Sequence, residues 1–214
     1  MFHLPKDKHT FPPVDKASRD GLLAIGGDLS VGRIIKAYKN GIFPWFNEED
    51  EILWWAPNPR MILFPKEVKI SKSMQKLIKK EIYTITENKA FDEVIEQCAS
   101  IKRKDGEGTW LHRNMIDAYK ELFKAGLAHS VEVWNQKGEL AGGLYGVKIL
   151  DKVYSGESMF HKESNTSKLA FIHLAQMAQK DNIDLIDCQM YTAHLESLGA
   201  REIPRAAFMR FLQD

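Results

Sequence analysis

Cysteine is scarce in this chain of 214 residues: there are two, Cys98 and Cys188, far apart in sequence. They form neither a CxxC pair nor a metal-ligand spacing, and two thiols do not make a disulfide framework, which points to a reducing compartment. Long apolar runs are missing too. No stretch approaches the roughly 20 residues that a bilayer-spanning helix needs. The opening MFHLPK has no apolar h-region and no small-residue cleavage site. The expectation is a cytoplasmic protein without membrane contact. Charge of one sign is also lacking. Thirty Lys and Arg stand against 29 Asp and Glu, a formal net charge of +1. Any nucleic-acid contact must therefore be a local patch, not a whole-molecule field. The seven histidines include no HxxxH pair, so no metal ligand is assigned. Gly21…Gly26-Gly27 matches neither GxxxxGK[ST] nor GxGxxG, and no GxSxG elbow occurs.

What is present is ordinary in bulk, 44% hydrophobic and 28% charged, and unusual in arrangement. Residues 1–20 read as an irregular arm and 21–28 (GLLAIGGD) as a turn-rich segment. Asp28 or Ser30 would cap a helix running to about Asn40, ended by Gly41. Three of the five tryptophans, Trp45, Trp54 and Trp55, follow among prolines. Proline argues there for a structured loop wall instead of a helix or central strand, before a short strand at 61–64. A basic helix over 71–80, a strand at 83–86, a helix over 90–100 and another around Met115–Phe123, stopped by Gly126, come next. From Ala128 the texture alternates: strands at 130–135, 140–149, 153–159 and 183–189, with helices at 166–179 and 206–212. Gly142, Gly143 and Gly146 inside a strand mark a bulge or close backbone approach. The fold class is α/β (α+β), with a central sheet and a small N-terminal domain (1–64) before a larger one (65–214).

Three constellations carry chemistry. The tryptophans, with Trp110, serve either as core or as a stacking platform for a base or an apolar side chain. Lys72, Lys76, Lys79 and Lys80 share one helical face with no acid among them, either a solubilising face or a phosphate-backbone footprint. Asp187 and Gln189 end a strand whose same face carries Ile183 and Leu185. Polar groups there need partners, and open sheets keep their ligand crevice at such strand ends. A satisfied structural pair and a site are both consistent with that pattern.

Taken in order, GLLAIGGDL (21–29), AYKNGIFPWF (37–46), ILWWAPNPR (52–60), ISKSM (70–74), GTW (108–110), AHSVEVW (128–134), GGLYGV (142–147), GESMF (156–160), IDCQ (186–189) and SLGAREIPR (197–205) resemble the bacterial leucyl/phenylalanyl-tRNA–protein transferases. The resemblance covers about residues 11–212. It implies a small N-terminal α/β domain followed by a domain with the fold of Gcn5-related N-acetyltransferases and a central mixed sheet. It implies transfer of Leu or Phe, and weakly Met, from Leu-tRNA or Phe-tRNA to proteins with N-terminal Arg or Lys. The products enter N-degron proteolysis, and the enzyme acts as a monomer without cofactor or metal.

The resemblance also assigns residues. Gln189 would contact the attacking amine, with Asp187 polarising it, and Glu157 would lie near the reacting ends. Trp45, Trp110 and Tyr119 would surround the 3′ adenosine and aminoacyl group. Leu144 and Tyr154 would shape the apolar pocket, where family members carry methionine and phenylalanine. Lys72, Lys76, Lys79 and Lys80 would meet the tRNA backbone. Two other functions compete. An acyl-CoA-dependent N-acetyltransferase would need a glycine-containing pyrophosphate loop, and 160–167 (FHKESNTS) has no glycine. A non-catalytic tRNA-binding protein would have no use for Asp187 and Gln189.

Overall fold

The computed structural model describes residues 2–101 and 111–213. In chain order the strands are β1 (Phe2–Leu4), β2 (Leu22–Gly26), β3 (Phe43–Pro44), β4 (Leu53–Trp55), β5 (Arg60–Leu63), β6 (Thr84–Glu87), β7 (Ala128–Trp134), β8 (Leu140–Ile149), β9 (Val153–His161), β10 (Leu185–Gln189) and β11 (Arg201–Ile203). The helices are α1 (Val31–Lys39), α2 (Lys72–Lys79), α3 (Phe91–Ser100), α4 (Arg113–Lys124), α5 (Thr166–Lys180), α6 (Ala193–Ser197) and α7 (Arg205–Met209).

Two sheets result, one of four strands in the order β1-β2-β4-β3 and one of seven in the order β11-β5-β10-β9-β8-β7-β6. The large sheet is mixed. Its neighbours run antiparallel except β9 and β10, which are parallel and joined through α5. This agrees with the mixed α/β class read from the sequence. α5 packs on one face, against β7, β8, β9 and β10, while α3 and α4 pack against β7 and α3 also against β8 and β9. Period-2 alternation sorts side chains between the two faces. Leu144 belongs to the α5 core and its neighbour Tyr145 to the other, and Ile186 and Leu185 divide likewise. The small sheet joins the second core, where Leu23, Phe43 and Trp54 pack with residues of α3, α4 and the large sheet.

The stop signals hold, whereas Ser30 stands at the N-cap of α1 without a capping side-chain bond. Asn40 and Gly41 (φ 71°) end α1, and Gly126 (φ 72°) follows α4. The Ser71 hydroxyl accepts from the Met74 N–H to cap α2. A Cβ on Gly146 would lie 2.2 Å from the Ser155 carbonyl oxygen. Only glycine admits β9 that closely, and the β8–β9 register shifts there.

Other readings need correction. The turn-rich 21–28 contains β2, whose neighbours are β1 and β4. Residues Phe2–Leu4 of the supposed irregular arm pair parallel with it. The tryptophan region supplies two strands, and β4 is central in the small sheet. Proline did not forbid it, because β4 ends at Trp55 and Pro57 lies beyond it, while Pro44 sits on the edge strand β3. β5 inserts between β10 and β11 of the large sheet. The elements α6 and β11, too short to show a period, were missed.

Candidate active site

β9 and β10 stay paired only through Leu185–Val153, Ile186–Tyr154 and Asp187–Ser155. Beyond these they part, and the opening becomes a cleft of about 580 Å³. Trp45, Leu144, Glu157, Phe171, Gln189 and Tyr191 are among its walls. A cleft at the carboxyl ends of parallel strands is where an α/β sheet exposes backbone and side chains without a neighbouring strand to satisfy them.

Glu157 is the charged centre of this cleft and is partly buried. Its Oε2 accepts from the Tyr119 hydroxyl at 2.8 Å, and that hydroxyl lies 2.6 Å from the Tyr38 hydroxyl. Its Oε1 accepts from Ser155 Oγ and from Gln189 Nε2, both at 2.9 Å. Burial lifts the Glu157 carboxyl above its ordinary range, and hydrogen bonds from Tyr38, Tyr119, Ser155 and Gln189 hold it down. Burial first, then the Glu157 charge, pushes the hydroxyls of Tyr38 and Tyr119 well above the usual tyrosine range, so both stay protonated donors.

Nε2 of Gln189 is given to Glu157, and among the described residues its side-chain carbonyl oxygen has no hydrogen-bond partner. Gln189 has φ of 64°, an uncommon conformation for a side chain of this size. The β5–β10 register shifts between Asp187 and Gln189, so the end of β10 is bulged. Asp187 steadies that bulge by accepting the backbone N–H of Gln189 at 2.9 Å. The contact between the two residues thus runs through the backbone. The Asp187 carboxylate itself is fully buried and pairs with Arg60 through two bonds, Nε to Oδ1 at 2.8 Å and NH2 to Oδ2 at 2.6 Å. The third edge of Arg60 donates to the Gly41 carbonyl at 3.1 Å, and the rings of Phe43 and Phe208 flank it at 4.8 Å each.

The remaining sequence-assigned residues divide. Trp45 and Leu144 line the cleft. Tyr119 is fully buried behind Glu157, and it touches the cleft wall through that carboxylate and through the ring of Tyr145 at 5.3 Å. Tyr154 does not line it. Its ring packs on His129 at 4.4 Å, in the same core as Leu144. Trp110 lies outside the described residues. Lys72, Lys76, Lys79 and Lys80 are exposed on α2 and, among the described residues, form no ion pair, while Met74 is buried beneath them. Among the described residues no group of three His, Cys, Asp or Glu is placed to hold a metal.

Arg60 and Tyr38 escaped the sequence reading. A signal for Arg60 existed. An aspartate on an apolar strand face requires a buried cation, and Arg60 heads the strand beside it.

The start of α5 bears on the acyl-CoA alternative. Thr166 Oγ1 donates within reach of the carbonyls of Ala141 (2.8 Å) and Glu163 (2.7 Å). The Glu163 carboxylate stands alongside, held by Asn135 and Tyr83, whose hydrogen bonds keep it below the ordinary carboxylate range. A fixed anion at that position repels a pyrophosphate.

A cleft with room for an acyl donor beside a carboxylate and an amide oxygen is compatible with acyl transfer to a nucleophile. Its class is that of acyltransferases. Comparison with known proteins is specific. The family model of leucyl/phenylalanyl-tRNA protein transferase matches residues 62–213, and that of its N-terminal domain matches residues 27–58. A leucyl/phenylalanyl-tRNA–protein transferase of Flavobacterium johnsoniae is 57% identical over 213 residues, covering 100% of this chain and 99% of that one. One from Nitrosomonas europaea is 54% identical over 204 residues, covering 94% and 85%. This chain belongs to the leucyl/phenylalanyl-tRNA–protein transferase family. Among solved structures, a Gcn5-related N-acetyltransferase from Kribbella flavida matches 80% of this chain and 60% of its own, at 10% identity and a TM-score of 0.41. A likeness that remote adds nothing to the family assignment.

Proposed function

We propose that this chain moves leucine or phenylalanine from the 3′ end of aminoacyl-tRNA onto the α-amino group of proteins that begin with arginine or lysine, marking them for N-degron proteolysis. Family membership supports the donor and the reaction. The observation that carries the catalytic part is the Gln189 side chain in the cleft wall, its amide nitrogen on Glu157 at 2.9 Å and its carbonyl oxygen without a partner among the described residues.

In this reading the aminoacyl ester needs no further activation. The acceptor amine, whose reference pKa is about 8, enters as the neutral form. The Gln189 carbonyl oxygen accepts one of its N–H bonds and so aims the lone pair at the ester carbon. The C–N bond forms, the bond from carbon to the 3′ oxygen breaks, and one proton from nitrogen ends on the departing oxygen. An amide is a poor base, so orientation supplies much of the rate. The Glu157 carboxylate stabilises the positive charge that grows on nitrogen during attack. Trp45 offers a face for the terminal adenosine or the aminoacyl side chain, and Leu144, backed by the core that includes Tyr154, bounds the side-chain slot. A slot of this kind takes Leu and Phe and crowds β-branched Ile and Val. The unpaired lysine face of α2 suits the tRNA backbone. Charged tRNA is a cytoplasmic substrate, so the cytoplasm is the proposed compartment. A monomer is the proposed state.

The test uses radiolabelled Leu-tRNA and Phe-tRNA with a peptide beginning with Arg and its N-acetylated counterpart. Label moving only to the free-amine peptide is the expected result. A folded protein that binds tRNA but labels neither peptide would refute the transferase reading.

A further inference from the structure

We infer that Arg60 is the residue that positions Gln189 for transfer, and that the charge of Asp187 is committed to Arg60 instead of to the reacting groups. The inference deepens the transferase reading above and rests on it.

The geometry runs in one direction. The planar fork of Arg60 fixes both oxygens of Asp187, at 2.8 and 2.6 Å. A fork of this kind sets the plane of the carboxylate as well as its distance. Oδ1 then has one remaining direction, which it gives to the backbone N–H of Gln189 at 2.9 Å. That bond holds Gln189 at a φ of 64° across the bulge, opposite Met61, the residue that follows Arg60 on β5. The orientation of the Gln189 backbone in turn decides whether its amide reaches Glu157. Asp187 is fully buried and is not among the residues that line the cleft. Its negative charge is answered at contact distance by a guanidinium, and a neutralised pair exerts little field beyond its immediate neighbours.

Arg60 fixes a second wall as well. The ring of Phe43 lies against the guanidinium at 4.8 Å, and the Gly41 carbonyl accepts from it at 3.1 Å. Phe43 lines the cleft and precedes Pro44 and Trp45, which line it too. One side chain therefore sets the distance between the Gln189 wall and the Trp45 wall. Reaction rates respond steeply to such distances: a displacement of about 1 Å costs on the order of 100-fold.

The variants are Arg60→Lys, which keeps the charge and loses the fork, Asp187→Asn, which keeps an acceptor for Gln189 and loses the charge, and their combination. Each is assayed for kcat and KM with an Arg-starting peptide, for tRNA affinity, and for a cooperative melt. Arg60→Lys is expected to lower kcat about 100-fold with tRNA affinity unchanged. The double variant is expected to be no slower than the slower single one, because both changes act through one placement of Gln189. Wild-type kcat in Arg60→Lys, or losses that multiply in the double variant, would overturn the inference. If Arg60→Lys gives no cooperative melt, the pH profile of Asp187→Asn decides. An acid limb in the wild-type position supports a purely positioning role, and a displaced limb overturns it. A wild-type enzyme that transfers nothing would instead sink the transferase reading, which keeps the two failures apart.

Discussion

Removing a single oxygen, in Tyr119→Phe, should make the enzyme more sensitive to acid while leaving it nearly unchanged in alkali. Tyr119 is fully buried, so phenylalanine keeps the ring in place and vacates only the volume of one oxygen. What disappears is the 2.8 Å bond to Glu157 Oε2 and the 2.6 Å contact with the Tyr38 hydroxyl. Burial already raises the Glu157 protonation point, and the hydroxyls of Tyr38, Tyr119 and Ser155 with the Gln189 amide oppose it. Losing one of these donors raises it further, so more of the enzyme carries a neutral Glu157 at a given acidic pH. A hydrogen bond to a charged group is worth about 1.5–3 kcal/mol. Glu157 is partly open to the cleft, so the lower end applies and the protonation equilibrium shifts about tenfold. The assay is kcat/KM for an Arg-starting peptide against pH, expressed as the ratio of variant to wild type. The ratio cancels the titration of the peptide amine, which is common to both. It should approach one at alkaline pH and fall steadily on the acid side. A ratio that stays flat across that range would show that the ionisation of Glu157 does not matter to transfer. Stability moves the other way. A carboxyl with a raised folded-state pKa favours the fold most below its unfolded value near 4.5, and that contribution is lost as pH rises through the folded value. The ionised form that the proposed reaction uses is therefore the less favourable one for folding.

Two further outcomes follow from the same geometry. Asn tolerates a positive φ, so Gln189→Asn should fold normally, yet its shorter amide cannot reach Glu157. kcat should drop about 100-fold with tRNA affinity intact, and near-wild-type turnover would remove Gln189 from the mechanism. Replacing Lys76 and Lys79 by Ala should lower the slope of log affinity for tRNA against log salt by about two. The rate at saturating tRNA should stay as it is, and an unchanged slope would take α2 out of the tRNA contact.

The parts of this molecule that could be read from sequence are those set by local chemistry. Gly41 and Gly126 stop helices because nothing else takes a positive φ so cheaply, and Ser71 caps α2 through its own hydroxyl. The strands β8, β9 and β10 announced themselves by their alternating texture. Asp187 and Gln189 stood out as polar residues at a strand end, resemblance gave them and Glu157 their roles, and the structure brings the three within one network. What stayed hidden depends on partners distant in sequence. β2 looked like a turn because its glycines flank it, and it becomes a strand only once β1 and β4 supply its hydrogen bonds. Glu132 alternates with Val131 and Val133 along the predicted strand at 130–135, a pattern that puts it on the opposite face from them. It is fully buried, with bonds from Ser130, Thr86 and the Ala90 N–H at the start of α3. That burial follows from a sheet covered on both faces, which no local window reveals. Arg60 was visible only as a letter in NPR, because its partner lies 127 positions away.

The continuity of the second core has a consequence for how this protein can be taken apart. The two family models meet across a gap, one ending at residue 58 and the other beginning at 62. That gap invites dissection into a catalytic module and an accessory one. Yet Phe43 and Trp54 share a core with α3, α4 and the large sheet, Tyr38 bonds to Tyr119, and Arg60 sits in the gap itself. A fragment starting at 62 would keep Gln189 and Glu157 while losing the wall opposite them. The seam in the sequence is not a seam in the molecule, and its two parts are not interchangeable modules.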